Sequence, residues 1–206
     1  MRTGSHSRSR GTTIIEVMMA LAMMAIGASG IIAMQKLTIV SNRDAKNLEV
    51  ASEIARTWIE RLRGDAMLWN HPSPLLATSD LETDTVWLAG HVQVPGTADW
   101  FRPTNQSANI YGVHDALGRD DPTAMASANG PFCVNVRLTW IRPNVSIRAE
   151  VRVYWLRQGI ANWSVPSVPA SPLCGSDPAA PPQIQYETQT YHFVHLITEI
   201  RQNTAM

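Results

Sequence analysis

The 206-residue chain has little of several things, and each shortage excludes something. It has no net charge, so nothing in its overall balance draws it toward nucleic acid or an anionic membrane surface. It has two cysteines, Cys133 and Cys174, with no Cys-x-x-Cys and no close His/Cys spacing, so a structural zinc site has no ligand set. It has no Gly-x-Ser-x-Gly, no phosphate-binding glycine loop and no nucleophile–base spacing, which argues against an enzyme and implies no cofactor. Lysine is scarce, with Lys36 and Lys46 set against many arginines, a bias of composition rather than of chemistry. Charge is missing altogether from Val17 to Met34.

That uncharged run is the most informative stretch. At about 1.5 Å per residue it makes a helix close to the thickness of a hydrocarbon core once Ile14 and Ile15 are added. Arg2, Arg8 and Arg10 precede it with no acidic residue among them, and Glu16 stands at its front. A cleavable secretory signal would close on a small-x-small site, and none is present. A plain membrane anchor fits the length but leaves Glu16 unexplained, because a charge at membrane depth costs about 2.5–3.5 kcal/mol. The Lys36, Arg43 and Lys46 charges roughly balance the leading arginines, so charge asymmetry does not orient the span.

Gly11 followed by Thr12-Thr13-Ile14-Ile15-Glu16-Val17 and an apolar span resembles the class III signal of type IV pilins and pseudopilins. The resemblance implies that a membrane prepilin peptidase cuts between Gly11 and Thr12, that Thr12 becomes the N-methylated first residue, and that Glu16 takes the place of the fifth-position glutamate. The physical logic is direct. A new α-amino group is cationic at neutral pH, and Glu16 could pair with its own chain's amine or a stacked neighbour's, offsetting the cost of burying a carboxylate. Thr13-x-x-Glu16 is also a helix capping box, and both roles can coexist. Thr12 departs from the family's usual phenylalanine or methionine, and the family's frequent proline within the span is absent. Gly27 and Gly30 read as positions of close helix packing.

Beyond Gln35 the composition turns polar while helical periodicity continues. Leu48, Ala51, Ala55, Trp58, Ile59 and Leu62 recur every three or four residues, and Gly64 is a natural stop. One helix over residues 12–63 would extend about 78 Å. Ile26-Gly27, Gly30, Gln35, Asn42, Ala51, Ala55 and Glu60-Arg61-Leu62-Arg63 resemble PilV-type minor pilins over roughly the first sixty residues.

In the remainder, Phe132–Ile141 and Val145–Leu156 alternate apolar and polar residues around Arg142-Pro143-Asn144, a β-hairpin pattern. A turn centred on Pro143 and Asn144 sets Trp140 opposite Ile147, Val136 opposite Val151, Phe132 opposite Trp155, and Arg137 opposite Glu150 on the outer side. A strand is expected around Val86–Val94 and a further one over Tyr186–Ile200. Ser164–Pro182, rich in proline, reads as a surface loop. The expected fold is α+β, a long N-terminal transmembrane and amphipathic helix packed on an antiparallel β-sheet domain. The expected segments are a leader at 1–11, a membrane or filament-core helix at 12–35, an amphipathic helix at 36–64 and a globular domain at 65–206. If the apolar run exports that domain, Cys133 and Cys174 meet in an oxidising compartment and pair, the alternative being two buried thiols.

Other candidate sites carry less. His192 and His195 fall on opposite faces of a strand and do not suit a shared metal. Asp115, Asp120 and Asp121 could hold calcium but read better as a polar turn. Arg137, Arg148 and Arg152 with Tyr154 form a modest basic and aromatic outer face, interrupted by Glu150, so nucleic-acid binding is disfavoured.

The resemblance thus implies a minor pilin-like structural subunit that helps initiate or cap a type IV pilus. Its implied partners are prepilin peptidase, other minor pilins, the major pilin and the inner-membrane assembly platform. The implied location is the inner membrane as a single pass, N-terminus cytoplasmic and domain periplasmic, and then the pilus near its tip. A type II secretion pseudopilin and an adhesive or DNA-binding tip module are the alternatives.

Overall fold

The structure, a computed structural model, describes residues 13–69, 81–123, 130–157, 174 and 191–202. Helix α1 runs Ile14–Ala66, and the chain divides into two compact units, Met1–Ala45 and Lys46–Met206.

In the first unit every residue from Thr13 to Arg43 is exposed, including Met18, Met24, Ile26, Ile32 and Met34. The helix starts on backbone bonds from the Glu16 and Val17 amides to the Thr13 carbonyl, at 3.1 and 3.3 Å.

The second unit is built on a five-stranded sheet of β1 (Val92–Gln93), β2 (Val113–His114), β3 (Phe132–Arg142), β4 (Ser146–Leu156) and β5 (Tyr191–Arg201). The order is β1-β3-β4-β5, with β2 also on β3. β1 runs parallel to β3 and the other pairs are antiparallel, so the sheet is mixed rather than wholly antiparallel. The expected strand at Val86–Val94 is reduced to Val92–Gln93, because the amides of Val86, Trp87 and Leu88 bond to the Asp65 carboxylate instead of a strand. A short helix α2 (Leu81–Asp84) precedes them. The last strand begins at Tyr191 rather than Tyr186; residues 186–190 and, apart from Cys174, the Ser164–Pro182 segment lie outside the described residues.

The hairpin register is the expected one: Trp140 pairs with Ile147, Val136 with Val151 and Arg137 with Glu150, while the Phe132 and Trp155 rings lie 5.8 Å apart. Its turn differs. Arg142 pairs with Ser146, the ladder shifts between Trp140 and Arg142, and Asn144 takes φ 57°. Ile141 is thus a bulge, and the loop is one residue longer than a two-residue turn; asparagine tolerates the left-handed conformation it demands.

The apolar face of the sheet, with Val134, Val136, Leu138, Ile147, Ala149, Val151 and Val153, forms one core with Ala51, Ile54, Ala55, Trp58, Ile59 and Leu62 of α1. Burial at this spacing, with each large side chain worth roughly 1.5–3 kcal/mol, holds helix to sheet. Two expectations fail at its edges. Leu48 is 51% exposed and Ile54 takes its place in the stripe. Gly64 stays helical, and α1 ends at Ala66, where Asp65 turns inward to cap the 86–88 segment.

Candidate functional site

Glu16 sits in the first turn of α1 at the head of the exposed apolar stretch. That stretch is long and apolar enough to cross a membrane by length and composition, and none of it is buried in the protein. Among the described residues Glu16 has no ion-pair partner. Gly11 and Thr12, the expected cleavage and methylation positions, lie outside the described residues. A side chain added at Gly27 or Gly30 would meet nothing within 4 Å, so both leave a flat helix surface.

The sheet's second face is not the solvated surface its polar residues suggest. It is covered in part, by Trp100, Tyr111 and Val113, while Arg148, Phe193 and Ile197 of the same face stay exposed. The Phe101 amide and carbonyl bridge to Val136, at 2.9 and 2.8 Å, which sets Phe101 toward the main core and Trp100 over the opposite face. Arg137 and Arg152 lie 4.7 and 4.2 Å from the Trp100 ring centre, both within cation–π range. Arg152 is 5% exposed, and burial lowers its guanidinium from 12.5 to about 10, so it stays cationic at neutral pH. Tyr154 is fully buried, and burial pushes its phenol well up. Two members of the expected basic and aromatic outer face, Arg152 and Tyr154, are therefore interior groups, while Arg137 and Arg148 keep 33% and 50% of their side chains exposed.

Glu150 is buried with them and ion-pairs with Arg137 and Arg148, with His195 3.9 Å away. Burial by itself would raise its pKa. The Arg137 hydrogen bond and the charges of Arg137, Arg148 and His195 overcome that and leave it below the usual carboxylate range. His195 is lowered by burial, against the pull of Glu150. His192 stacks on Trp155 across the ladder, on the other face, so the two histidines are not brought together.

Cys133 and Cys174 form a disulfide with a Cα–Cα distance of 5.3 Å. Both are buried, packed with Tyr111, Val113, Tyr154 and Tyr191 in a second small core on the covered face.

The three aspartates are occupied by turn and helix contacts. Asp115 accepts from the amides of Leu117 and Arg119, and the Arg119 amide holds its carboxyl below the ordinary value. Asp120 receives both terminal nitrogens of Arg61, and Asp121 accepts from the Thr123 amide and hydroxyl. Trp58 donates to buried His114, a contact between distant segments that no short motif signals.

No protein-family model, curated protein or solved structure matches the chain.

Proposed function

We propose that this chain is a minor pilin-like structural subunit of a type IV pilus. It is inserted as a single-pass inner-membrane precursor and assembled after prepilin peptidase removes Met1–Gly11. The carrying observation is the exposed apolar stretch of α1 with Glu16 in its first turn, continuing in sequence into a disulfide-bonded α+β unit. A helix apolar all round needs lipid or other helices as its surroundings. A carboxylate at its head needs a cation there, and the processed α-amino group of a neighbouring chain would supply one. The domain then contributes surface to the filament, with its fold secured by the sheet and disulfide.

The test is Glu16→Ala in cells that make filaments. The variant inserts in the membrane as the parent does but is depleted from sheared filaments, or fails to support their initiation. Normal incorporation would remove Glu16 from assembly.

A further inference from the structure

Four side chains join the second half of α1 to the segment that follows Tyr111. Trp58 and Arg61 stand one turn apart on the helix. Trp58 Nε1 donates to His114 Nε2 at 3.0 Å, with Trp58 fully buried and His114 2% exposed. Arg61 binds both carboxylate oxygens of Asp120, and Asp120 Oδ1 lies 3.6 Å from His114 Nδ1. A ring nitrogen that accepts an N–H bond carries no proton, so His114 is neutral with its proton on Nδ1, on the Asp120 side.

The segment itself is closed by the His114–Asp120 bridge and by the Asp121 amide bonding to the Val113 carbonyl at 3.0 Å. It lies flat on the helix at Gly118, where φ is +80° and a Cβ would come within 3.2 Å of Val50 Cγ1. Its hold on α1 therefore combines apolar packing at Val50 and Ile54 with the Trp58–His114 and Arg61–Asp120 pairs.

We propose that this arrangement is an acid-sensitive latch: residues 113–121 are clasped to α1 while His114 is neutral and are released when His114 takes a second proton. The incoming proton comes from solvent and binds Nε2, the atom that accepts from Trp58. The acceptor is then a donor, and two N–H groups face each other in a buried space. Release uncovers Val50, Ile54 and Trp58, an apolar face of α1.

Among the described residues the charged groups around the ring are few. Arg61 faces it from α1. Asp115 and Asp120 face it from its own segment, with Arg119 paired to Asp115. Its ladder partner on β3 is the uncharged Phe132. Burial lowers the His114 pKa most; Asp120, the Gly118 backbone and Asp115 pull it back, Arg61 lowers it further, and the net direction is down. An unfolded histidine titrates near 6.5, so the unfolded chain binds the proton first. The stability contributed by the neutral ring is therefore complete above about pH 6.5 and is lost as pH falls through the lower folded value.

The experiment is hydrogen exchange on the full-length protein in detergent micelles, corrected for intrinsic rates, from about pH 7.5 to about pH 4.5. The wild type loses protection at 113–121 below about pH 6.5 while the β4–β5 ladder stays protected. His114→Gln, whose amide oxygen accepts from Trp58 without titrating, keeps that protection. Trp58→Phe, which removes the donor favouring the neutral ring, moves the midpoint to higher pH. His91→Gln and His195→Gln leave the midpoint in place. A His114→Gln protein that opens at the wild-type pH would overturn the latch, as would a Trp58→Phe midpoint at or below that of wild type. Loss of the transition in either control variant would do the same.

Discussion

Glu150 and Arg137 face each other across the β3–β4 ladder as an ion pair whose carboxylate end is 1% exposed. The register brings them opposite; the covering segment with Trp100 takes the acid out of water. Glu150→Gln keeps the shape and removes the charge that compensates Arg137 and Arg148. Breaking a buried pair costs about 3–5 kcal/mol, and because the arginines still reach solvent the expected loss is nearer 2–3 kcal/mol. Chemical denaturation of the full chain measures it. The stability Glu150 lends is present above the ordinary carboxylate pKa and lost as pH falls through its depressed folded value, so the variant and parent converge in acid.

Asp65 makes a second testable anchor. Its carboxylate accepts from the amides of Val86, Trp87 and Leu88 at 2.8, 2.7 and 3.0 Å. Asp65→Ala strands these donors, and with about 1–3 kcal/mol for each unsatisfied buried group the expected total, allowing for non-additivity and solvent entry, is about 3 kcal/mol. Hydrogen exchange at residues 86–88 accelerates before the β3–β4 hairpin does. Uniform acceleration across the domain would contradict this local role.

The disulfide joins residues 41 apart in sequence. Loop-closure entropy assigns such a crosslink about 4 kcal/mol, so the Cys133→Ser, Cys174→Ser double variant unfolds at lower denaturant by an equivalent amount. A reducing agent lowers wild-type stability toward the variant and leaves the variant unchanged. Equal stability of oxidised and reduced wild type would contradict the assignment.

What could be read before folding follows the range of the interactions. Period-two alternation and one charge pair sufficed for the β3–β4 register, because a one-residue slip would turn every apolar side chain outward. The bulge at Ile141 escaped, since a two-residue and a three-residue loop suit Pro143-Asn144 equally. The α1 stripe was legible at 3.6 periodicity, yet Leu48 lies just before burial begins and Ile54 falls among charged neighbours. The covering of Arg152 and Tyr154 was not legible. It depends on where Trp100 and Tyr111 are carried over the outer face, which the Phe101–Val136 pairing decides and local sequence does not. The Trp58–His114 contact joins residues 56 apart for the same reason.

The central claim is pilin-like processing, and intact mass of the membrane-extracted protein tests it most directly, from cells with and without active prepilin peptidase. Loss of Met1–Gly11 only when the peptidase is active, with one added methyl on Thr12, is the expected result. A chain of unchanged mass in both strains would contradict the account and leave a plain membrane-anchored protein.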